Sequence, residues 1–534
     1  MLRINEIKLP LDHTPDDLKY ALLTKLGIAP SRLLSYTIFK RSHDARKRNA
    51  ILLIYSLEVE VTNEAELLQR LRGNPHVLPA PDTHYKYVTK ANGKLISRPV
   101  IIGSGPCGIF AALVLAQMGF RPIVLERGKA VRERTKDTWD LWRKHILHTE
   151  SNVQFGEGGA GTFSDGKLYS QIKDPKHYGR KVIDEFIKAG APPEIAYVSK
   201  PHIGTFRLVG IVERMRATIE SLGGEFRFQQ KVINFNIKNK ELCELELEGG
   251  ETIQANQVIL AIGHSARDTF EILRQRGVYM EAKPFSIGFR IEHPQSMIDR
   301  FRYGDNAGNA NLGAADYKLV HHASNGRSVY SFCMCPGGTV VAAASEPGRV
   351  VTNGMSEYSR NERNANSGIV VGVDPRDYPG DVLAGMEFQR HWEEKAFDLG
   401  GKNYNAPAQL VGDFVARKAS TQLGSVVPSY KPGVTLGELD GSLPDYAIAA
   451  IREALPAFDK QIKGYFLHDA ILTGVETRTS SPIRITRDDN SLQSLNTRGL
   501  YPAGEGAGYA GGILSAAIDG IKVAEAVALS MEAA

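Results

Sequence analysis

The chain has 534 residues, which is too many for one hydrophobic core and suggests two to four domains. A composition of 42% hydrophobic and 23% charged residues is ordinary for a globular protein. The net charge of +5 is uneven, because residues 1–98 carry 16 basic and 10 acidic side chains and the remainder is close to neutral.

Four cysteines in this length argue against a disulfide scaffold. The first residues lack the basic-then-apolar pattern of a signal peptide. No apolar run approaches the roughly 20 residues that a membrane helix needs. These features predict a cytoplasmic protein without a membrane span.

Residues 1–95 are predicted to form a small α+β domain. Alternating apolar residues indicate strands in RINEIKLPL, LLSYTIFKR and AILLIYSLEVEV. One helix is predicted between a Thr14 cap and Gly27, and another in EAELLQRLRG. The order βαββα favours a ferredoxin-like domain, followed by a linker at 91–94.

A basic cluster lies in this first domain. Its simplest interpretation is a solvated face, and contact with nucleic acid or docking on the next domain are the alternatives. The cluster comprises Lys40, Arg41, Arg46, Lys47 and Arg48.

The stretch from Pro99 to Glu126 alternates strand, glycine turn, helix and strand within about thirty residues, as in a βαβ unit. Gly103 permits the tight turn, Gly105 lets a pyrophosphate approach the backbone, and Gly108 lets the helix pack against the strand. The helix N-terminus offers free N–H groups to phosphates. Glu126 is placed to accept hydrogen bonds from ribose hydroxyls. Together these features predict a dinucleotide site.

Later segments favour FAD over NAD. LYPAGEGAGYAGGILSAAIDGIKVAEAV resembles the second FAD fingerprint of flavoproteins, in which a strand ends at Gly-Asp and a helix follows. Here Gly504 and Glu505 form the Gly-acid pair, and Glu505 departs from the usual Asp. QVILAIGHSARDT resembles the Ala-x-Gly crossing near the cofactor through Ala261 and Gly263. Val232 falls where such proteins contact adenine through the backbone.

Over residues 98–534 the chain resembles a family of FAD-dependent dehydrogenases of uncharacterised reaction, related to the BaiN-like and aminoacetone-oxidase-like flavoproteins. The strings that carry this resemblance include ERGKAVRERTKDTW, FGEGGAGTFSDGKL, AIGHSARDT, FSIGFRIEHPQ, SFCMCPGG and ETRTSSPIRI. It implies an α/β fold with a Rossmann-like, glutathione-reductase-type FAD-binding domain and an inserted mixed α+β substrate domain. The expected boundaries are 1–95 for the N-terminal domain, 96–275 and 465–534 for the two parts of the FAD-binding domain, and 276–464 for the inserted cap.

FGEGGAGTFSDGKL also spells GxGxxG, but no strand precedes it and no helix is evident after it. In related flavoproteins a small-residue loop lies against the isoalloxazine, which is the favoured interpretation, and a purely structural loop is the alternative. The full set of residues predicted to bind FAD is Gly103, Gly105, Pro106, Cys107, Gly108, Glu126, Arg127, Gly159, Ala160, Gly161, Thr162, Val232, Ala261, Gly263, Gly504, Glu505, Gly512 and Ile513.

No other Rossmann turn is evident, and no CxxxxC pair follows the first helix. This argues against a dedicated NAD(P)H domain, and NAD(P)H stays open as a transient reductant over the flavin. No metal is predicted, because Cys, His and acidic residues show no ligand spacing.

Three candidates for chemistry lie outside the main FAD motifs. Arg290 and His293 in GFRIEHP are candidates to bind an anionic substrate or to move a proton, and the alternative is a surface ion pair at a strand end. Lys167, near Asp165 in the Gly-rich loop, is a candidate to stabilise a reduced anionic flavin, and the alternative is a solvated loop charge.

Two cysteines and one arginine complete the candidates. Cys333 and Cys335 share one strand face by period-two spacing, and a buried structural pair is favoured over a redox or substrate thiol. Arg478 in ETRTSSP is a candidate to reach substrate or phosphate, with a structural role as the alternative.

The predicted function is an FAD-dependent dehydrogenase or reductase that acts on a small or lipid-like organic substrate by hydride transfer at flavin N5. Two alternatives remain. One is an RNA-directed flavoprotein that uses the basic N-terminal domain, and the other is a flavin-binding partner protein without turnover.

Overall fold

The computed structural model describes residues 1–91 and 97–533. Apart from Ala91, the predicted linker at 91–94 lies outside the described residues, and so does the predicted boundary after residue 95. Within the two described ranges, no helix combines the length and the apolar character needed to cross a bilayer.

The first domain is a four-stranded antiparallel sheet with two helices. Its elements are β1 (Leu2–Pro10), α1 (Pro15–Leu26), β2 (Leu33–Asp44), β3 (Leu52–Val61), α2 (Glu64–Arg70) and β4 (Val77–Pro79). Thr14 and Asp17 form a capping box at the start of α1, and Gly27 ends that helix in the left-handed conformation. The strand order is β2-β3-β1-β4, so a short fourth strand completes the predicted βαββα series.

The second domain is built on a parallel sheet whose central strands are buried on both faces and are therefore continuously apolar, as in VII and VIL. Its elements up to residue 277 are β5 (Val100–Ile102), α3 (Pro106–Gln117), β6 (Ile123–Glu126), α4 (Val131–Lys144), α5 (Tyr178–Lys188), α6 (Thr205–Ser221), β7 (Glu225–Phe228), β8 (Val232–Lys238), β9 (Glu241–Leu247), β10 (Thr252–Gln254), β11 (Val258–Leu260) and α7 (Arg267–Gln275). Strands β8 to β10 form a separate antiparallel sheet.

The third domain contains a seven-stranded sheet. The elements of this part of the chain are β12 (Met280–Ala282), β13 (Phe285–Pro294), α8 (Gln295–Tyr303), β14 (Val320–His322), β15 (Ser328–Cys335), β16 (Gly338–Ala342), β17 (Thr352–Ser356), β18 (Asn364–Val373), α9 (Ala384–Leu399), β19 (Ala406–Leu410), α10 (Val411–Ala416), β20 (Val434–Leu436), α11 (Asp445–Phe458) and β21 (Ile471–Glu476). The sheet order is β14-β15-β18-β13-β21-β19-β20, and β16 pairs with β17.

The chain then returns to the parallel sheet. This last part comprises β22 (Ile483–Ile485), β23 (Leu500–Pro502) and α12 (Ile513–Ala533). The parallel sheet has the order β23-β11-β5-β6-β7, and β22 pairs with β12. The boundary predicted at residue 465 is too early, because β21 pairs with β13 and β19 in the seven-stranded sheet. A short apolar strand such as ILTGVE fits either sheet by pattern alone, so only its pairing assigns it.

A buried carboxylate joins the second and third domains. Glu393 on α9 has no exposed surface and accepts hydrogen bonds from Arg267 Nη2 at 2.8 Å and from Arg478 Nη2 at 2.9 Å. The Thr477 hydroxyl donates to the same carboxylate at 2.8 Å. Although burial opposes ionisation, the two arginines lower the pKa of Glu393 far below its ordinary value. These four residues, the Glu393 cluster, fix the third domain on the second.

We expect Glu393→Gln to lower the free energy of unfolding by about 3–5 kcal/mol, because it removes the charge that two buried guanidinium groups share and leaves them only Glu346, which is partly exposed and also paired with Arg390. Urea unfolding of the purified protein measures this change. Glu394→Gln, at the exposed neighbouring position, should stay within about 0.5 kcal/mol of the parent. A Glu393→Gln variant as stable as the parent would mean that the Glu393 cluster does not hold the domains together.

Candidate active site

A cavity of about 400 Å³ lies where the second and third domains meet. One wall consists of the turns that follow β5, β11 and β23, at the carboxyl ends of parallel strands, where ligands bind in open α/β sheets. Third-domain residues such as Phe332, Val351 and Asn353 form another wall. Most residues predicted to bind FAD line this cavity: Gly103, Gly105, Pro106, Cys107, Glu126, Arg127, Gly159, Ala160, Gly161, Val232, Ala261, Gly263, Gly504, Glu505, Gly512 and Ile513.

The turn after β5 contains two glycines that the packing of the chain requires and one that it does not. Gly103 has φ +101°, and a Cβ there would collide with the Ala261 carbonyl. Gly108 lies behind the wall, where a Cβ would overlap the Gly103 carbonyl oxygen, so the helix packs directly on the turn. A Cβ on Gly105 would meet only Gly159 Cα, at 3.7 Å, which is an ordinary contact. The fold therefore does not require glycine at 105, and a bound group would occupy that space.

The N-termini of two helices reach the cavity. Gly105 caps α3 without a side-chain hydrogen bond, and Pro106 occupies the first turn. Helix α12 begins at Ile513 in the same wall. Because the first N–H groups of a helix lack intrahelical partners and carry partial positive charge, both ends favour electron-rich groups.

Glu126 is a buried acid at the end of β6. Its Oε2 accepts hydrogen bonds from the Ser104 amide at 3.0 Å and the Ser104 hydroxyl at 2.7 Å. Its Oε1 accepts from the amides of Gly128 at 2.9 Å and Gly156 at 3.0 Å. These bonds fix the carboxylate in the cavity wall. The role of Ser104 was missed, because the position between two turn glycines has no fixed chemistry.

Glu505 is an acid in the same wall, and within residues 1–91 and 97–533 no side chain or amide hydrogen-bonds to its carboxylate. Burial raises the pKa of Glu505 to about 7, with Lys283 opposing the shift. A partnerless carboxyl group at a cavity wall is suited to bind the hydroxyl groups of a ligand.

The Gly-rich loop runs into a short 3-10 turn at Ala160–Phe163 and not into a helix. Arg134, fully buried, donates at 2.7–2.8 Å to the Glu157 carbonyl in this loop and to the carbonyls of Asn152 and Val153 just before it. A Cβ on Gly156 would collide with the Arg134 side chain. Thr162 does not line the cavity, which corrects its predicted contact with FAD, because its side chain is buried on the far side of the loop.

Lys167 lines the cavity at the end of the same loop. Its ammonium group donates to the Met334 carbonyl and lies 3.6 Å from the Asp165 carboxylate. Asp165 is buried and accepts hydrogen bonds from Arg360 at 2.6 and 3.0 Å. The alternative of solvated loop charges is therefore wrong for both predicted residues.

Arg290 and His293 do not line the cavity, which corrects their predicted contact with substrate. Arg290 is fully buried, donates to Glu476 at 2.7 Å and donates to the Cys333 carbonyl at 2.9 Å. His293 lies in the third-domain core with Nε2 at 2.8 Å from the Tyr465 carbonyl, and burial lowers the pKa of His293 to about 4. Both residues lie on β13, a central strand whose two faces are covered, so neither is at the surface.

The two predicted cysteines differ in exposure. A bulge between Phe332 and Cys335 interrupts the pairing of β15 with β18, and Cys333 has φ +43°. The bulge breaks the period-two spacing on which the prediction of one shared face depended. Cys335 is fully buried and its thiol donates to the Cys333 carbonyl at 3.3 Å, whereas Cys333 lines the cavity.

Arg478 reaches the cavity wall, but its guanidinium group is directed to protein partners. Besides Glu393, it donates to Ser345 Oγ at 2.6 Å and to Ser265 Oγ at 3.1 Å. His264 lies in the same wall and was missed by the sequence analysis; burial and the nearby arginines lower the pKa of His264 to about 3.

Part of the basic cluster docks on other domains. The Arg41 amide donates to the Tyr197 carbonyl at 2.6 Å. The Arg48 guanidinium lies 4.6 Å from the centre of the Phe301 ring. The Arg41 contact supports docking on the predicted FAD-binding domain, whereas Arg48 contacts the third domain.

One group of ligand-type side chains was not predicted. Asp137, Asp140 and His148 place one ligand atom each within 4.8 Å of one another. Lys129 Nζ lies 2.9 Å from Asp137, and Lys144 Nζ lies 2.8 Å from Asp140. Because these ammonium groups already balance the acids, we assign no ion to the group.

The parallel sheet, its glycine turns and the cavity at its carboxyl edge define a Rossmann-like α/β nucleotide-binding protein. Residues 97–277 match the family described as pyridine nucleotide-disulphide oxidoreductase, and residues 284–479 match the family described as FAD-dependent protein, C-terminal domain-like. Residues 1–60 match a domain of unknown function. A protein of Clostridium beijerinckii, described as uncharacterised, is 51% identical over 526 residues, covering 98% of each chain. The chain belongs to this family of FAD-dependent oxidoreductases, and FAD is its cofactor.

Solved structures that match this chain include the halogenase PltM in complex with phloroglucinol and FAD. It is 12% identical with a TM-score of 0.34, and the match covers 82% of this chain and 70% of that chain. The L-proline dehydrogenase from P. horikoshii is 13% identical with a TM-score of 0.34, covering 81% and 94% of the two chains.

The residues in the cavity fit FAD. The open space over Gly105 and the uncapped start of α3 suit a pyrophosphate. The Glu505 carboxyl group, which has no hydrogen-bond partner in the part of the chain that the structure describes, suits a hydroxylated chain. The packing of the chain itself does not require these features, and a bound cofactor accounts for them.

We expect Gly105→Val to give a folded but colourless protein, because the side chain has room in the chain itself and fills the space of the pyrophosphate. Absorbance of the purified protein measures FAD content, and thermal unfolding checks the fold. Gly103→Val is the contrasting variant and should fail to fold, because its Cβ meets backbone atoms. A yellow Gly105→Val protein with full FAD content would contradict this placement.

We expect Glu126→Ala to weaken FAD binding by about tenfold or more, since a hydrogen bond to a charged group contributes roughly 1.5–3 kcal/mol. Titration of the FAD-free protein with FAD, followed by flavin fluorescence, gives the affinity. Glu133→Ala, at an exposed position of α4, should bind FAD like the parent. Equal affinity of Glu126→Ala and the parent would mean that the carboxylate only supports the turn.

Proposed function

We propose that the protein is an FAD-dependent dehydrogenase or reductase that transfers a hydride between FAD and a small organic substrate. The observation that carries this proposal is one cavity whose walls combine the glycine turns of the second domain with residues of the third. A cofactor held by the turns and a substrate held by the third domain would meet there. The relation to BaiN-like and aminoacetone-oxidase-like flavoproteins, and the role of the insert as a cap, belong to the same proposal.

In this proposal the start of α3 binds the pyrophosphate, Glu126 binds the adenosine ribose, and Val232 contacts adenine through its backbone. Glu505 binds the ribityl chain, and the Gly159–Gly161 loop and the Gly512–Ile513 turn lie against the isoalloxazine. All of these positions lie in one continuous cavity wall, which supports the assignment.

Bound FAD supplies a hydride acceptor or donor at flavin N5. The chain contributes the surroundings of that reaction. Phe332 and Val351 present apolar surface that excludes water from the third-domain side. Although burial opposes it, neighbouring Cys333 and Asp165 raise the pKa of Lys167 above its ordinary value. A fixed ammonium group in the wall stabilises negative charge that develops in the cavity during the reaction.

The sheets of the protein bear on where an electron donor for the flavin can bind. Among the described residues, the third domain offers a mainly antiparallel sheet without the strand, glycine turn and helix of a second dinucleotide site. A nicotinamide donor must bring its reacting carbon to about 3–3.5 Å from the flavin. We therefore propose that NAD(P)H, if it is the donor, enters the same cavity as the substrate.

We expect anaerobic NADH or NADPH to bleach the flavin band of the purified protein, and steady-state turnover with an artificial acceptor to be ping-pong. Donor and acceptor that share one cavity cannot bind together, so double-reciprocal lines should be parallel. Intersecting lines would indicate separate pockets.

The same samples separate the other two functions. If no electron donor reduces the flavin, the result favours a flavin-binding partner protein without turnover. Salt-dependent RNA binding by the full chain would favour the RNA-directed alternative.

A further inference from the structure

A second cavity of about 500 Å³ adjoins the candidate active site. Its walls come mainly from the third domain, with residues 316–320 and Tyr330 among them. Lys167 and Tyr169, from the second domain, line both cavities. Leu168 between them is buried, because alternate residues of this extended segment face opposite sides. A molecule at the junction of the two cavities can therefore contact both Lys167 and Tyr169.

The ammonium group of Lys167 carries a positive charge that its surroundings do not balance. Within residues 1–91 and 97–533 its one ionic contact is with Asp165, at 3.6 Å. Asp165 is already paired with Arg360, which donates to its two carboxylate oxygens at 2.6 and 3.0 Å. The Met334 carbonyl, which accepts a hydrogen bond from Lys167, is neutral. One carboxylate thus serves two cations, and a largely buried cation is costly without a partner of its own.

The lining of the second cavity does not supply the missing negative charge. Its acid, Asp316, is paired with Lys200 at 2.6 Å. Lys318, an exposed residue of the same lining, adds a further positive charge. The lysines of this cavity therefore outnumber its free acids, and the junction favours an anion.

The donors at the junction suit a carboxylate. An ammonium group has three N–H donors, of which the Met334 carbonyl uses one. The Tyr169 hydroxyl makes no hydrogen bond with any residue that the structure describes. An ammonium and a phenolic donor on one face can serve the two oxygens of a carboxylate. A phosphate group would bring about two negative charges and three acceptor oxygens, which exceed one unbalanced ammonium group and one hydroxyl.

The rest of the second cavity is mainly apolar. Its polar groups are largely used within the protein, since the Tyr330 hydroxyl is bonded to Ser286 and the Ser331 hydroxyl accepts from the Leu319 amide at 2.8 Å. The side chains that offer apolar surface are Tyr317, Leu319, Val320, Tyr330 and Met334. A molecule that extends from the junction into this cavity gains affinity by burying apolar surface there.

We propose that the junction of the two cavities binds the carboxylate of a small apolar carboxylic acid, with Lys167 as its counter-ion, and that the apolar part of the acid lies in the second cavity. Binding is non-covalent, and the acid binds as its anion. The inference deepens the proposed function by naming a substrate class, and it rests on that function for one point, which is that the bound acid is the substrate of the flavin.

The test is calorimetric titration of the FAD-loaded full chain at low salt, so that the cofactor already fills its own anion site. The probes are hexanoate, acetate and 1-hexanol. We expect hexanoate to bind about tenfold or more tightly than 1-hexanol, because only the carboxylate pairs with Lys167. Hexanoate should also bind much more tightly than acetate, since each buried methylene raises affinity by about fourfold. Equal affinities of hexanoate and either of the other probes would overturn the proposal.

Variants of Lys167 test the counter-ion. Lys167→Gln should bind hexanoate no more tightly than 1-hexanol, whereas Lys167→Arg keeps the charge and should keep most of the preference for hexanoate. Lys173→Gln, at an exposed position nearby in the chain, should bind both probes like the parent. A folded Lys167→Gln protein with the parent's preference would overturn the proposal. If Lys167→Gln does not fold, the comparison of probes on the parent still decides it.

A second pair of variants tests where the apolar part lies. Val320 lines the second cavity and is 51% exposed, so Val320→Glu should fold and should weaken hexanoate binding several-fold by charge repulsion. Val427→Glu alters a valine that is 44% exposed and belongs to neither cavity lining, and it should bind hexanoate like the parent. Equal binding of hexanoate by the two variants would overturn the placement in the second cavity.

Flavin reduction by NADH or NADPH on the same samples is independent of these titrations. If hexanoate shows no preference over 1-hexanol while the flavin is reducible, this inference alone is overturned. If hexanoate binds as expected while no donor reduces the flavin, the proposed function alone is overturned.

Discussion

The arrangement of the second and third domains depends on the pairing of one carboxylate, that of Glu393, with two arginines. A buried carboxylate or guanidinium group is costly unless its partner is fixed in good geometry. Here one carboxylate meets two arginines, one from the second domain and one from the crossover after β21. Arg267 therefore satisfies its charge only when the two domains are in contact, because its partners Glu393 and Glu346 both lie in the third domain. The cavity between the domains has its walls in place because this contact is made.

The pairing of buried charges also distinguishes groups that stabilise the structure from groups that are available for chemistry around the cavity. Asp165 is paired with Arg360, and Glu476 is paired with Arg290, so these buried charges mainly hold loops and strands. Glu505 lacks a comparable partner among the described residues, and Lys167 and Cys333 face the cavity. A group without an internal partner, such as the Glu505 carboxyl group within the described ranges, is available to a ligand.

Much of the nucleotide-binding region could be predicted from sequence because its signals are local. The tight turn at Gly103, the packing glycine at 108 and the acid at 126 all fall within one βαβ unit, so spacing alone identifies them. The cap at Thr14 is equally local. The third domain could not be predicted in this way. The sequence suggested that Arg290 lies at the end of a strand. It is buried because β13 pairs with a neighbouring strand on each side.

The bulge in β15 shows a second limit of sequence patterns. Period-two spacing assumes an uninterrupted ladder, and the register shift after Phe332 carries no composition signal. One local irregularity thus separates a buried thiol from one that faces the cavity. The Gly-rich loop lines the cavity through Gly156, Gly159, Ala160 and Gly161.

The order of the strands in the parallel sheet has a consequence for biosynthesis. Strand β23 lies beside β11, although the whole third domain intervenes between them in the chain. A ribosome delivers the strands that begin the sheet long before the strand and helix that complete it, and the intervening domain has time to fold as a unit first. Until Leu500 and the following helix emerge, β11 has an unpaired edge and the turn after β5 has no opposite wall. FAD loading is thus coupled to completion of synthesis, and during translation the exposed edge of β11 is where a chaperone has most to protect.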